Sequence, residues 1–189
     1  FKDFNLTVTD TNDAPTALTI ANQSATEDSG FSFSIPAATF SDMDIGDSLS
    51  LSATLADGSA LPSWLSFNSS SQSFSGTPLN GDVGSITVRV TATDSHAATV
   101  FKDFSLSVTN TNDAPTALTI ANQTATEDGA FSFSLPTGSF SDVDLGDSLS
   151  YQATLADGSA LPSWLSFNSS SQSFSGTPLN GDVGSITVR

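Results

Sequence analysis

Apolar and polar residues alternate with a period of two along much of this chain. Phe31-Ser32-Phe33-Ser34-Ile35, Leu49-Ser50-Leu51-Ser52-Ala53-Thr54-Leu55 and Ile86-Thr87-Val88-Arg89-Val90-Thr91-Ala92 each place apolar side chains at every second position. That spacing puts them on one face of a β-strand and leaves the other face to Ser and Thr, which hydrate it without adding charge. Ser73-Phe74-Ser75 runs into Gly76-Thr77-Pro78, which reads as a turn, and Asp47-Ser48, Asp57-Gly58 and Asn80-Gly81 are further turn signals. No stretch carries a convincing helical period. About seven short strands in roughly a hundred residues predicts an all-β fold of the β-sandwich kind.

The pattern repeats. Phe1 to Arg89 recurs as Phe101 to Arg189, and from Ala53 to Arg89 the match is letter for letter. The differences gather at Ser29-Gly30 against Gly129-Ala130 and at Ala37-Ala38-Thr39 against Thr137-Gly138-Ser139, with milder changes such as Met43 to Val143 and Leu51 to Tyr151. A period of about 100 residues is too long for a solenoid unit and fits a self-contained sandwich. The boundary falls at Asn12-Asp13-Ala14-Pro15 and again at Asn112-Asp113-Ala114-Pro115, because Pro cannot donate to a ladder and suits a strand start or linker. Residues 1–11, with the alternating Phe4-Asn5-Leu6-Thr7-Val8-Thr9, are expected to be the last strand of a preceding repeat. Residues 12–111 then make one complete repeat, and residues 112–189 a second one without counterparts of Val90 to Thr111. The chain begins in mid-pattern and without Met, so it is expected to be an excerpt of a longer array.

Composition narrows the function classes. Twenty acidic residues face four basic ones, for a net charge of -16 over 189 residues. Nucleic acid is not an expected partner, since phosphate binding needs Lys and Arg, and neither is an anionic membrane surface, for the same reason. Two explanations of the acidity stay open: self-repulsion that favours solubility, or cation sites that offset the charge. The chain has no Cys, hence no disulfide framework and no thiolate zinc site, which fits a bacterial surface protein. No run approaches the roughly 20 apolar residues of a membrane span, so no membrane insertion is expected.

Several segments, taken in order, resemble the dystroglycan-type cadherin-like repeats of bacterial surface proteins, which overlap an immunoglobulin-like family. They are Ala25-Thr26-Glu27-Asp28, Phe40-Ser41-Asp42-Met43-Asp44-Ile45-Gly46-Asp47, Leu61-Pro62-Ser63-Trp64-Leu65-Ser66-Phe67, Phe74-Ser75-Gly76-Thr77-Pro78, Asp82-Val83-Gly84 and Val90-Thr91-Ala92-Thr93-Asp94. The resemblance implies tandem Greek-key β-sandwich repeats of the cadherin/immunoglobulin-like type, an extracellular location, Ca2+ near repeat junctions, and a role in adhesion or polysaccharide attachment.

The acidic residues are the candidate chemistry. Asp42, Asp44 and Asp47 share one short loop, with Gly46 to bend it. Calcium takes about six to eight oxygens, and aspartates at alternate positions around a Gly bend can supply several. The loop can equally be a polar turn whose carboxylates cap backbone amides. In cadherins an Asp-x-Asp loop, an Ala-x-Asp strand end and an Asn-Asp linker surround ions between domains. Asp42-Met43-Asp44, Ala92-Thr93-Asp94 and Thr11-Asn12-Asp13 look similar. The resemblance therefore gathers Asp10, Asn12, Asp13, Asp42, Asp44 and Asp94 at one end of the first repeat. It gathers Asn110, Asn112, Asp113, Asp142 and Asp144, beside Asp147, at the start of the second. Glu27 and Asp28, with Glu127 and Asp128, resemble the acidic residue that reaches a cadherin junction from the first strand, or are an exposed strand-end pair. Asp82 is expected to shape a turn.

Other features point away from catalysis. Trp64 and Trp164 are expected to pack under a turn rather than to stack on sugar. His96 is the sole imidazole and is expected in an exposed loop, without a transition-metal site or a repeated Ser-His-Asp triad. The expected function is a calcium-binding adhesive or spacer repeat, outside the cell and not an enzyme, whose first partners are neighbouring identical repeats. A polysaccharide-binding module attached to a secreted enzyme is the alternative. Residues 1–11 of one copy are also expected to donate a strand into residues 112–189 of another, giving a homo-oligomer.

Overall fold

A computed structural model of the chain describes residues 1–9 and 11–189. It divides into two compact units, Phe1–Thr111 and Asn112–Arg189.

The first unit is a sandwich of two sheets. Its strands are β1 (Thr16–Ala17), β2 (Gln23–Thr26), β3 (Phe31–Ser34), β4 (Phe40–Ser41), β5 (Ser50–Leu55), β6 (Leu65–Asn68), β7 (Ser73–Gly76), β8 (Gly84–Thr93) and β9 (Thr99–Thr109). One sheet has the order β2-β9-β8-β5 and the other β3-β7-β6, while β1 and β4 form a small separate pair. The β8–β9 hairpin is antiparallel, from Gly84 opposite Val108 to Thr93 opposite Thr99. On its outer side β9 takes β2 in parallel, Gln23 beside Leu106 through Thr26 beside Thr109. A strand from the start of the repeat thus closes in parallel against the last one.

Alternation decides which side chains meet. Val88, Val90 and Ala92 of β8 and Phe104, Leu106 and Val108 of β9 point inward and are buried. They face Phe74 of β7, which has no exposed surface. The Phe104 ring lies 5.7 Å from both Phe74 and Phe33, and Phe67 lies 4.7 Å from Phe74. This aromatic knot joins the two sheets, each buried ring contributing roughly 1.5–3 kcal/mol through removal from water.

One motif of the sequence has a local steric basis. A Cβ on Gly76 would lie 1.8 Å from the Trp64 carbonyl oxygen, so the β6–β7 pair tolerates only Gly there. The Trp64 ring is half-buried and packs edge-on against Phe31, 6.3 Å between centroids.

The second unit repeats part of this plan. Strands β10 (Thr116–Ala117), β11 (Phe131–Ser134), β12 (Phe140–Ser141), β13 (Leu165–Asn168) and β14 (Ser173–Gly176) form a β10–β12 pair and a β11-β14-β13 sheet. Their registers equal those of the first unit, shifted along the repeat. Of a second sheet, the described residues show one Leu155–Val188 bridge, with Thr154 and Arg189 exchanging backbone hydrogen bonds at 2.9 and 2.8 Å.

Residues 1–9 form no strand despite their alternation, and Phe1, Phe4, Leu6 and Val8 are exposed. The reason lies in the ladder. The segment is the counterpart of 101–109, and the slot between β2 and β8 that such a segment fits is already filled by β9. With that slot filled, alternation alone does not make the segment a strand.

Candidate cation site

The loop after β4 is the centre of the site. Gly46 bends it with φ of 99°, a left-handed conformation that side chains resist. Asp42 reaches forward, its Oδ1 accepting the Asp44 N–H at 3.0 Å. The Asp47 N–H donates to the Asp44 carbonyl at 3.3 Å. One carboxylate oxygen from each of Asp42, Asp44 and Asp47 lies within 4.8 Å of the others. Two like charges about 4 Å apart repel by roughly 1 kcal/mol in bulk water and roughly 4 kcal/mol at a protein surface. The four basic residues are Lys2, Arg89, Lys102 and Arg189. None lies in this loop, and Arg89 is engaged by Asp103 at 2.8 Å.

Two other elements reach the loop. The linker ahead of β1 is tied to it by the Asp13 N–H, which donates to Asp44 Oδ2 at 2.8 Å. Beyond β8, Asp94 is buried and turns back on its own hairpin, where Oδ1 accepts the His96 and Ala98 N–H groups at 2.9 and 2.8 Å. Its Oδ2 accepts the Asn12 side-chain amide at 3.2 Å. Burial pushes the Asp94 carboxyl up, but the Asn12 amide and the two backbone donors outweigh it and hold it below the usual carboxylate range.

Most carboxylate oxygens here therefore have protein donors, as a polar turn would require. Asp42 Oδ2 does not: it is buried and lacks any hydrogen-bond partner among the described residues. A buried anionic oxygen without a donor is costly and rare. A divalent cation is what such an oxygen, set among other carboxylates, accepts. The donor set is all oxygen, which suits a hard cation such as Ca2+ and not a soft one.

The second unit builds the same loop. Asp142 Oδ1 accepts the Asp144 N–H at 2.9 Å, the Asp113 N–H donates to Asp144 Oδ2 at 2.7 Å, and Asp142, Asp144 and Asp147 each bring an oxygen within 4.8 Å of the others. Asn112 turns its amide onto the Asp113 carbonyl at 2.8 Å.

Asp10 is outside the described residues. Glu27 is 1% exposed at the far end of β2, where its Oε1 accepts the Thr111 N–H at 2.6 Å and its Oε2 has no hydrogen-bond partner among the described residues. Thr109, beside Glu27, closes β9, while Asp94 sits by its start. The two carboxylates thus lie a full strand apart, roughly 35 Å along eleven residues. Asp28 is exposed with φ of 56°, shaping the turn whose N–H bonds the Pro78 carbonyl, and Asp128 does the same with φ of 59° on Pro178. Asn110 and Glu127 are exposed. Asp82 holds its turn by accepting the Leu79 N–H at 2.9 Å.

Sequence reading missed the neighbours of Asp47. Ser95 Oγ donates to Asp47 Oδ1 at 2.5 Å, and His96 Nδ1 lies 3.3 Å from Asp47 Oδ2. They follow Asp94 directly, so a polar pair just past a candidate ligand at a strand end was the available signal.

The family model described as "Putative Ig domain" matches residues 14–109 and again 114–189. The chain belongs to that family. A serine-rich adhesin for platelets from Staphylococcus aureus is 32% identical over 128 residues, 68% of this chain but 5% of the adhesin. The repeats therefore match a small part of that curated relative. Among solved structures, the protocadherin gammaB7 EC3-6 cis-dimer aligns with 97% of this chain and 48% of its own at 20% identity and a TM-score of 0.49. An endo-fucoidan hydrolase of glycoside hydrolase family 107 aligns with 94% and 34% at 21% identity and a TM-score of 0.43. Likenesses at that level say nothing about ligand or activity. Among the described residues no helix is long and apolar enough to cross a membrane.

Proposed function

We propose that this chain is a calcium-stiffened adhesive or spacer repeat of a bacterial surface or secreted protein, with a binding and positioning role rather than an enzymatic one. The observation that carries the reading is the buried, donorless Asp42 Oδ2 among the carboxylates of Asp42, Asp44 and Asp47. Calcium held there would cancel their repulsion. Through Asp13 on Asp44 and Asn12 on Asp94 it would also fix the linker to the sandwich it enters. A cation would thus turn a hinge ahead of each sandwich into a stiff joint, which suits a repeat that must hold something at a distance. The match to part of an adhesin supports the setting.

Calorimetric titration of chelator-treated protein with calcium tests this, beside the D42N/D44N double variant. Heat of binding and a rise in melting temperature are expected for the natural chain. A ligand at a hundred times its Kd stabilises by about 2.7 kcal/mol. The double variant should lose tenfold or more in affinity at the first unit. No heat and no thermal shift at millimolar calcium would reduce the loop to a hydrogen-bonded turn.

A further inference from the structure

We propose that Ser95, in the turn between β8 and β9, is a positioning residue for the cation loop of the first unit. Its hydroxyl holds the Asp47 carboxylate in place, so that cation binding and closure of the β8–β9 turn are coupled. This rests on the cation reading of the loop and adds to it a residue and a coupling.

The three aspartates of the loop are held by different parts of the fold. Asp42 Oδ1 is tied within the loop by the Asp44 N–H at 3.0 Å, and Asp44 Oδ2 is tied to the linker by the Asp13 N–H at 2.8 Å. Asp47 follows the Gly46 bend, and its side chain is only 9% exposed. Its carboxylate is met from the β8–β9 turn, where Ser95 Oγ donates to Oδ1 at 2.5 Å and His96 Nδ1 lies 3.3 Å from Oδ2. The His96 contact is the longer, and that side chain is 63% exposed, so the hydroxyl is the main restraint. Asp42 and Asp44 each bring an oxygen within 4.8 Å of Asp47, and like charges at that distance push the carboxylate outward unless something holds it. A carboxylate oxygen has two lone pairs, so Oδ1 can accept the Ser95 hydroxyl and still face a cation. Metal-ligating carboxylates are ordinarily held by an outer hydrogen-bond partner of this kind.

The turn that presents Ser95 is itself fixed in shape. The Asp94 N–H donates to the Ala98 carbonyl at 3.0 Å, and Asp94 Oδ1 accepts the His96 and Ala98 N–H groups. These bonds hold Ala97 at φ of 71°, a left-handed conformation that alanine rarely adopts. Linker, loop and turn therefore close a circuit: Asp13 on Asp44, Asn12 on Asp94 and Ser95 on Asp47. A cation that draws Asp47 into the loop steadies the turn, and by reciprocity the turn raises the affinity of the loop.

The test is calorimetric calcium titration of the full chain carrying D142N/D144N, so that only the first loop titrates, beside melting in chelator. S95A is expected to weaken calcium binding about tenfold or more, the usual effect of losing an outer partner, with little change in the melting temperature without calcium. S95T is expected to restore the affinity. In a D47N background S95A should cost nothing further, since Ser95 acts through Asp47. Calcium should also slow hydrogen exchange at the His96 and Ala98 N–H groups, and less so in S95A. Absence of binding by the D142N/D144N chain itself removes the cation reading and this inference together. Binding that S95A leaves unchanged overturns the inference alone. So does an S95A loss that persists in D47N, that S95T fails to restore, or that merely follows a fall in stability without calcium. Exchange at the turn that calcium leaves unaltered overturns the coupling.

Discussion

Residues 53–89 and 153–189 are identical, yet they sit in different surroundings. Phe74 and Val88 have no exposed surface, whereas Phe174 is half-buried and Val188 is 37% exposed. Glu27 is buried and Glu127 exposed. The covering element accounts for the difference: β9 lies across the first unit's core, and no strand stands there within the described residues of the second. The three-stranded sheet forms in both, because all three of its strands are present in each unit. The four-stranded sheet forms where β9 stands between β2 and β8, since β2 joins the sheet only through β9. Pairing within the three-stranded sheet and covering by the opposite sheet are therefore separable in this chain.

Paired substitutions test that separation, read by denaturant unfolding with Trp64 and Trp164 as separate reporters in W164F and W64F backgrounds. The largest expected effect is Phe74→Ala, which removes the central ring of the aromatic knot and should cost about 3–5 kcal/mol. Phe174→Ala removes a ring only partly withdrawn from water and should cost roughly 1–2 kcal/mol. Equal losses would mean that the second core is as well covered as the first. Next comes Gly76→Ala, a clash expected to cost about 1–3 kcal/mol. Gly176→Ala meets the Trp164 carbonyl oxygen at the same 1.8 Å, so here the two units should respond alike. Unequal responses would show that long-range covering also governs the hairpin.

The smallest effect is on acid stability. The Arg89 guanidinium holds Asp103 below the usual carboxylate range, and Asp94 is held low by its donors despite burial. Folded values below the unfolded one near 3.8 stabilise the folded state in full above that pH, and the gain is lost as acid protonates the groups. Neither residue has a counterpart in 112–189. Asp57 and Asp157 are lowered in both units by the Ser59 and Ser159 hydroxyls and N–H groups. The first unit should therefore lose stability more steeply than the second as pH falls below about 4. Parallel acid profiles would assign the dependence to the shared groups.

Much of this was legible in the residues. Alternation located Phe31–Ser34, Ser50–Leu55 and the long Gly84–Thr93 strand, and Asp42, Gly46 and Asp82 revealed their turns by type and spacing. The β2 strand escaped, since Gln23-Ser24-Ala25-Thr26 carries little apolar signal and is ordered by a parallel neighbour more than eighty residues away. Residues 1–9 show the converse, with a strand's alternation and no ladder to join. At the candidate site, Asp42, Asp44 and Asp47 were readable because they share one loop. Ser95 and His96 were not, because only the β8–β9 hairpin carries them to Asp47.

The sequence alone determined the repeat, the period-two faces and the acidic loop, because each is a matter of spacing within a few residues or of copying. Only the tertiary structure decided which identical residues are buried, where Asp94 and Glu27 lie relative to one another, and which carboxylate oxygen is left without a donor. Those outcomes depend on what packs across from a residue, and its immediate neighbours in the chain do not carry that information.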